Sequence, residues 1–318
     1  MLLLKWFSLL LIVLLTTGFG YEQFSRWRLE RSIRKNRTFA HVNSKPLHYV
    51  KKGNGNATVV FVSGMGSGHV IWQELQDSLA LHATTLSYDR NGILFSPANG
   101  DMLSNETVSQ ELEALLEQTK CPKPYILVMH SMAGIYMRPF IARHLHDIKG
   151  LVFAEAAHPH QLREASDELL KSRFIPPKWL VNFVVNLGIY RTFFSFFPVS
   201  NEIPMDHRLQ HAERNFFYKS YRRLLKEVES EQQNFDDASR HGDFGNTPLI
   251  IIAGTSESRY KNIKDQTIKT EYCQLMEKLS KDFLQLSKKS ELITTEKSGH
   301  ILQVNDNELL CNVIKTLF

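Results

Sequence analysis

The sequence predicts an α/β fold: a mostly parallel sheet with helices on both faces, a helical insertion, and an apolar helix ahead of it. Three observations predict it. Short apolar strands alternate with helical stretches along most of the chain, the pattern of a sheet buried on both sides. One of those strands, Tyr125-Ile-Leu-Val-Met-His130, runs straight into Ser131 and then into small residues that open a helix. The stretch from Leu2 to Tyr21 is almost wholly apolar, broken only by Lys5. With 318 residues and 43% apolar content the chain has enough material for one large core.

Taken in order, residues 1–22 supply the roughly 20 apolar positions that a membrane span requires. A secretory signal peptide is the rival reading, because Thr17-Gly-Phe-Gly20 places small residues near a cleavage point. Phe19 and Tyr21 make a poor small-x-small site, so an uncleaved single-pass anchor is preferred, with a secreted protein as the outcome if cleavage occurs. Residues 23–40 read as a basic juxtamembrane linker, and 41–318 as the main domain. Strands are expected within Val59–Ser67 (ending in a glycine-rich turn), Ala83–Arg90, Tyr125–His130, Gly150–Glu155, Pro248–Gly254 and Ser290–Thr295. Helices are expected at Trp72–Leu81, Val108–Gln118, Glu271–Leu286 and Asn307–Leu317. Ligands on such sheets bind at the carboxyl ends of strands, which is where Ser131, Glu155, Glu257 and His300 all fall.

The step from strand to serine carries chemistry. A serine hydroxyl is a weak nucleophile and needs a base, an oxyanion site and a fixed, exposed position. A sharp strand-to-helix turn lifts Ser131 above the sheet and aims the backbone N–H of Met132 at a developing oxyanion. Ala133 and Gly134 let the turn close. A serine capping an ordinary helix explains the segment alone equally well; the remaining pieces favour catalysis.

Those pieces resemble the α/β-hydrolase family over about residues 40 to 318, in the order serine, acid, histidine, and more narrowly resemble bacterial membrane-anchored members. The resemblance implies Ser131 as nucleophile, His300 as general base, and an oxyanion hole from the N–H groups of Met65 and Met132. Val42–Gly53 is similar to the family's opening hairpin and Tyr88-Asp-Arg-Asn-Gly92 to its turn after the second core strand. The chain departs from the Gly-x-Ser-x-Gly pattern at Met129 and Ala133, and Ser63 stands where a histidine often precedes the oxyanion glycine.

The acid has two candidates. Its task is to hold the imidazole in the right tautomer and stabilise the imidazolium. Glu257, three residues past Gly254, takes the commoner family position. Glu155 ends the preceding core strand in Leu151-Val-Phe-Ala-Glu-Ala-Ala-His-Pro159, and is preferred; only one of the two fits the usual geometry. His144 with His146, and His158 with His160, lack a third ligand and zinc-motif spacing, so they are read as surface or loop residues and no metal is expected. Gly64-Met-Gly-Ser-Gly68 lacks the lysine and spacing of a phosphate loop, so no organic cofactor is implied either.

Charge narrows the partners. The net charge of +5 resides entirely in residues 1–37, and the remainder balances to zero. No nucleic-acid motif is present. Trp6, Tyr21 and Trp27 suit membrane interfaces, and the arginines beyond suit headgroups. Sidedness stays open: positive charge after the span places the main domain inside, whereas Lys5 ahead of the apolar run resembles an export signal. The sequons at Asn36, Asn56 and Asn105 would be used only in a eukaryotic secretory route, which the bacterial resemblance disfavours. Three cysteines form no disulfide framework, and oligomeric state is left open.

The stretch of about 158–246 is too long for a loop and is expected to be a helical cap over the site. Its core, Trp179–Phe197, has three readings: a second membrane span, interrupted by Asn182, Asn186, Gly188 and Arg191; the packed face of a cap helix; or an apolar acyl-binding wall that also touches the bilayer. The polar stretch Gln210–Gln233 reads as its solvated partner. Together these features and the resemblance imply a membrane-anchored serine hydrolase of the esterase or lipase type, acting on a small hydrophobic acyl substrate. Acyl transfer on the same machinery, or a non-catalytic binding module on the same fold, are the alternatives.

Overall fold

The computed structural model describes residues 2–42, 45–98, 100, 103–173, 176–199, 207–261 and 263–318. Helix α1 (Leu2–Asn36) is followed by strands β1 (Phe39–Val42), β2 (Lys45–Lys52) and β3 (Thr58–Val62). Helix α2 (Gln73–Leu79), β4 (Thr84–Tyr88), α3 (Asn105–Gln118) and β5 (Tyr125–His130) come next. Short helices α4 (Ala133–Tyr136) and α5 (Arg138–His144) lead to β6 (Ile148–Ala154). The insertion comprises α6 (Gln161–Glu164), α7 (Asp167–Lys171), α8 (Lys178–Asn186), α9 (Ile189–Ser195), α10 (His207–Glu229) and α11 (Glu231–Ala238). The chain closes with β7 (Leu249–Gly254), α12 (Gln266–Asp282), β8 (Ser290–Thr295), α13 (Leu302–Asn305) and α14 (Asn307–Lys315).

The eight strands form one sheet in the order β1-β2-β4-β3-β5-β6-β7-β8, parallel from β4 to β8 and antiparallel at β1 and β2. The turn of the β1–β2 hairpin, residues 43–44, lies outside the described residues. Central strands are buried on both faces, so their side chains alternate between two cores. Val60, Val62, Leu127, Met129, Leu151 and Phe153 pack with α3, α4 and α5. Val59, Phe61, Ile126, Val128, Val152 and Ile252 pack with Trp72, Leu75 and Leu79 on one side and Leu310, Val313 and Ile314 on the other. From β3 the chain passes first to β4 on one side and then to β5 on the other. That reversal leaves a crevice at the carboxyl ends of β3 and β5, the place where doubly wound sheets bind ligands.

Helix ends differ from the sequence reading where a cap overrides the hydrophobic pattern. Ser104 accepts the Thr107 N–H and starts α3 three residues before the expected Val108. Asp265 accepts the N–H groups of Thr267 and Ile268 at 2.8 and 3.1 Å, starting α12 well before Glu271.

Two further expectations are corrected. The stretch 210–233 is not a solvated partner: α10 buries Phe216, Tyr218, Tyr221, Leu225 and the charged Glu227. Its charged side chains misled because several are paired inside the protein rather than hydrated. His158 is not at the surface either; it is buried against Phe283, with ring centroids 4.5 Å apart.

The basic stretch expected as a linker continues α1 to Asn36, because Arg26, Leu29 and Ile33 find packing partners on the insertion. Leu2–Ile33 is long and apolar enough to cross a membrane, and its most apolar window is unburied. Positions 174–175 and 200–206 of the expected cap lie outside the described residues.

Candidate active site

Strand β5 is buried along its whole length and delivers Ser131 at its end with φ +52°, in the left-handed region that non-glycine residues rarely occupy. The Ser131 carbonyl accepts from Gly134 N at 3.0 Å and from Ala157 N at 2.9 Å, which pins the turn between α4 and the end of β6. Space dictates the small residues. A Cβ on Gly134 would lie 2.8 Å from the Ala156 Cβ, and one on Gly64 would lie 2.8 Å from the Ser131 Cβ. Met129, where the family motif has glycine, is wholly buried in the same core cluster as Met132, Ala133 and Tyr136.

His300 follows β8 and brings Nε2 to 3.1 Å from the Ser131 Oγ. Its Nδ1 lies 3.4 Å from Glu155 Oε2. Glu155, at φ +53°, is buried, and its other oxygen accepts the Gly254 N–H at 2.6 Å and an Arg259 guanidinium N–H. Arg259 is itself held by Tyr272 Oη at 3.0 Å. Burial works against the Arg259 charge, but Glu155 and Tyr272 outweigh it and raise its pKa. Glu257 opens an exposed turn and is not brought to His300. Strand order explains the difference: β6 pairs with β5, so Glu155 ends beside Ser131, whereas Glu257 follows β7, one strand further out. The Glu257 turn contributes Arg259 instead.

His130 sits beneath the imidazole and donates from Nε2 to the His300 carbonyl at 2.8 Å. Burial, with His300 nearby, pushes its pKa down to about 3, so it is a neutral prop. Across the crevice, Ser63-Gly64-Met65-Gly66 follows β3. The N–H groups of Met65 and Met132 donate to no protein acceptor among the described residues.

The turn that carries Met65 is fixed from behind. Ser63 Oγ donates to the Gly68 carbonyl and accepts from Trp72 Nε1, each at 2.9 Å. Arg90 donates to the Ser63 carbonyl and, at 2.8 Å, to the Gly64 carbonyl. Glu227, from α10, accepts the Gly66 N–H at 2.8 Å and pairs with Arg90 at 2.8 Å. Arg259, Arg90, Glu227 and Trp72 were not legible as site residues. Arg90 had a faint signal in the Tyr88–Gly92 turn; Glu227 had none within its charged helix.

Two histidine clusters have ligand atoms close enough to consider for a metal. In the first, both Asp89 oxygens are engaged, by His69 Nδ1 at 2.8 Å and His48 Nδ1 at 2.9 Å. In the second, His158 Nε2 lies 3.0 Å from Asp282 while its Nδ1 accepts the His160 N–H at 3.1 Å. Burial, helped by Arg138, His160 and Arg163, pushes the His158 pKa down to about 3. Of these carboxylate contacts the one from His69 Nδ1 to Asp89 is a hydrogen bond, while His48 Nδ1 and His158 Nε2 approach their carboxylates within 3.0 Å. Cys121, Cys273 and Cys311 are free thiols.

A family model described as alpha/beta hydrolase fold matches residues 57–306, and the chain belongs to that family. Similar solved structures include wild-type Cfl2 from Burkholderia cenocepacia, at 15% identity and TM-score 0.62 over 89% of this chain and 95% of that one. An esterase from Exiguobacterium antarcticum aligns at 17% identity and TM-score 0.59 over 88% and 98%. The epoxide hydrolase of Bacillus megaterium aligns at 13% and 0.61 over 88% and 99%. Among curated relatives, an uncharacterized protein of Schizosaccharomyces pombe is 34% identical over 35% of this chain and 20% of its own length. Uncharacterized protein YqjL of Bacillus subtilis is 29% identical over 34% and 42%. The chain spans less than half the length of the curated relatives it matches. Family membership supports a hydrolase.

Proposed function

We propose that the protein is a serine hydrolase, anchored to a membrane by α1, that cleaves a hydrophobic carboxylic ester through an acyl-enzyme on Ser131. The observation that carries this reading is the relay from Ser131 Oγ to His300 Nε2 at 3.1 Å and from His300 Nδ1 to the buried Glu155 at 3.4 Å. His300 takes the Ser131 proton as the hydroxyl attacks the ester carbonyl, and the N–H groups of Met65 and Met132 receive the oxyanion. Glu155, held by Gly254 and Arg259, keeps Nδ1–H oriented and stabilises the imidazolium. The imidazolium then protonates the leaving alcohol, and water, activated by the same imidazole, releases the acid.

Two features support ester hydrolysis. The His300 side chain is 47% exposed, so water has access to the base. A cavity of about 310 Å³ adjoins the oxyanion turn, where Leu94, Tyr190 and Phe217 offer apolar contact beside the polar Gln210, Glu213, Arg214 and Ser220. A serine at position 131 disfavours epoxide opening, for which an aspartate nucleophile would be needed. The test is labelling of the detergent-solubilised protein by a fluorophosphonate probe. Labelling that is lost in Ser131→Ala and collapses in His300→Ala is the expected result; an unlabelled, folded wild type would overturn the assignment.

A further inference from the structure

Helices α8 and α9 are apolar on both faces. Inward, Val181, Val185 and Tyr190 join a buried cluster, and Tyr190 stacks on Phe217 with centroids 4.1 Å apart. Outward, Trp179 is 71% exposed and Phe196 is 79% exposed, with Leu180, Phe183, Ile189, Phe193 and Phe197 beside them in sequence and also exposed. Packing within the chain accounts for only the inward stripe. A soluble surface rarely concentrates so much apolar area, so the outer stripe calls for a second apolar medium.

Contacts with α1 set the level of this hairpin. A Cβ on Gly18 would lie 2.6 Å from the Leu187 carbonyl oxygen, and one on Gly188 would lie 3.2 Å from the Tyr21 ring. Glu22 accepts from Arg191 at 2.6 Å and from Arg26 at 2.7 Å, and Arg26 also donates to the Val185 carbonyl at 3.1 Å. The α8–α9 corner is thus docked where the apolar run of α1 ends. At about 1.5 Å per residue the helix from Leu2 to Gly18 covers roughly 24 Å, most of a ~30 Å hydrocarbon layer. At the same level a cavity of about 280 Å³ between α1 and α9–α10 is lined by Tyr21, Arg28, Arg191, Phe194, His211 and Arg214. Such a group of cations fits the phosphate layer.

We propose that the α8–α9 hairpin is a second membrane-binding element, lying in the interface of the bilayer that α1 crosses, with Trp179, Phe183, Phe193 and Phe196 in the acyl boundary. This rests on the reading of α1 as a membrane span. The bilayer is the occupant because the hairpin is docked on α1, whose Phe19, Phe24 and Trp27 are also exposed along the docked stretch. The hairpin then separates lipid on one side from the cavity beside the oxyanion turn on the other.

The test is nitroxide depth measurement on the full chain in nanodiscs of mixed phosphatidylcholine and phosphatidylglycerol, with Cys121, Cys273 and Cys311 replaced by serine. Single labels are introduced by Leu10→Cys, Trp179→Cys, Phe196→Cys and, at the opposite end of the sheet, Lys149→Cys. The expected result is high oxygen and low nickel-chelate accessibility at 10, 179 and 196, and the reverse at 149. Lipid exposure at 10 with water exposure at 179 and 196 would overturn the hairpin proposal and leave the anchor standing. Water exposure at all four positions would overturn both. Protection of 179 and 196 from both reagents would show a protein partner there, again overturning it.

Discussion

Glu227 on α10 lies 2.8 Å from Arg90, and each side chain is only 1% exposed. The two residues are 137 positions apart, yet together they clamp the turn after β3: Arg90 holds the Gly64 carbonyl and Glu227 holds the Gly66 N–H. The insertion is therefore joined to the turn after β3 by a desolvated ion pair.

Breaking that pair leaves a buried charge without its partner. Glu227→Ala is expected to cost about 3–5 kcal/mol of stability and to slow fluorophosphonate labelling of Ser131. The double substitution Arg90→Met with Glu227→Leu removes both charges and should recover much of the stability but not the labelling rate. Denaturant unfolding in micelles, alongside labelling kinetics, checks both. A Glu227→Ala variant as stable as wild type would refute the clamp.

The two candidate acids separate cleanly by mutation. Glu155→Gln should lower the acylation rate by on the order of 10³- to 10⁴-fold, as loss of the orienting carboxylate does in serine triads. Glu257→Gln should leave it near wild type. Single-turnover acylation with a chromogenic ester measures each.

Strain at Ser131 is testable without activity. Its φ of +52° is tolerated by glycine and costs other residues about 1–3 kcal/mol. Ser131→Gly should therefore be more thermostable than Ser131→Ala, although both lose the hydroxyl. Equal melting temperatures would mean that the turn carries no such strain.

Close packing behind the turn gives a rescue experiment. Gly134→Ala drives a Cβ toward Ala156, at 2.8 Å, and should destabilise by about 1–3 kcal/mol. Adding Ala156→Gly removes the opposing atom and should restore part of that loss. A double variant no better than the single one would argue against this contact as the cause.

Acid sensitivity follows from the buried neutral histidines. The pKa values of His130 and His158 are pushed down to about 3, and burial lowers that of His48 as well. Unfolding returns each to about 6.5, so below that pH the unfolded chain binds more protons than the folded one, and stability rises with pH. The contribution is complete above about pH 6.5 and is lost progressively as pH falls toward 3. Each histidine adds up to about 1.4 kcal/mol per pH unit in that window. Denaturant midpoints between pH 7 and 5 should fall, and His158→Gln should flatten the slope.

Much of the architecture was legible because its signals are local. Continuous apolar runs marked the strands, and glycines after them marked their ends, as at Val59–Val62 and Leu249–Gly254. Caps blurred the rest: Asp265 begins α12 through two hydrogen bonds that no hydrophobic pattern announces. Charge misled at α10, where Glu227 is buried against Arg90 from a distant part of the chain and Arg223 lies one turn from Glu227 on the same helix.

The sequence by itself determined the α/β-hydrolase fold, the strand-to-helix turn at Ser131, the approach of a histidine from the carboxyl end, and an apolar helix ahead of the domain. Those follow from short-range rules of spacing and turn chemistry. The sequence preferred Glu155 without excluding Glu257; tertiary structure places Glu155 at His300, because strand order sets which chain ends become neighbours. It also decided that Arg259 and Arg90 serve as props and that Glu227 reaches across from the insertion. Those pairings depend on how distant elements pack, and no local periodicity encodes them.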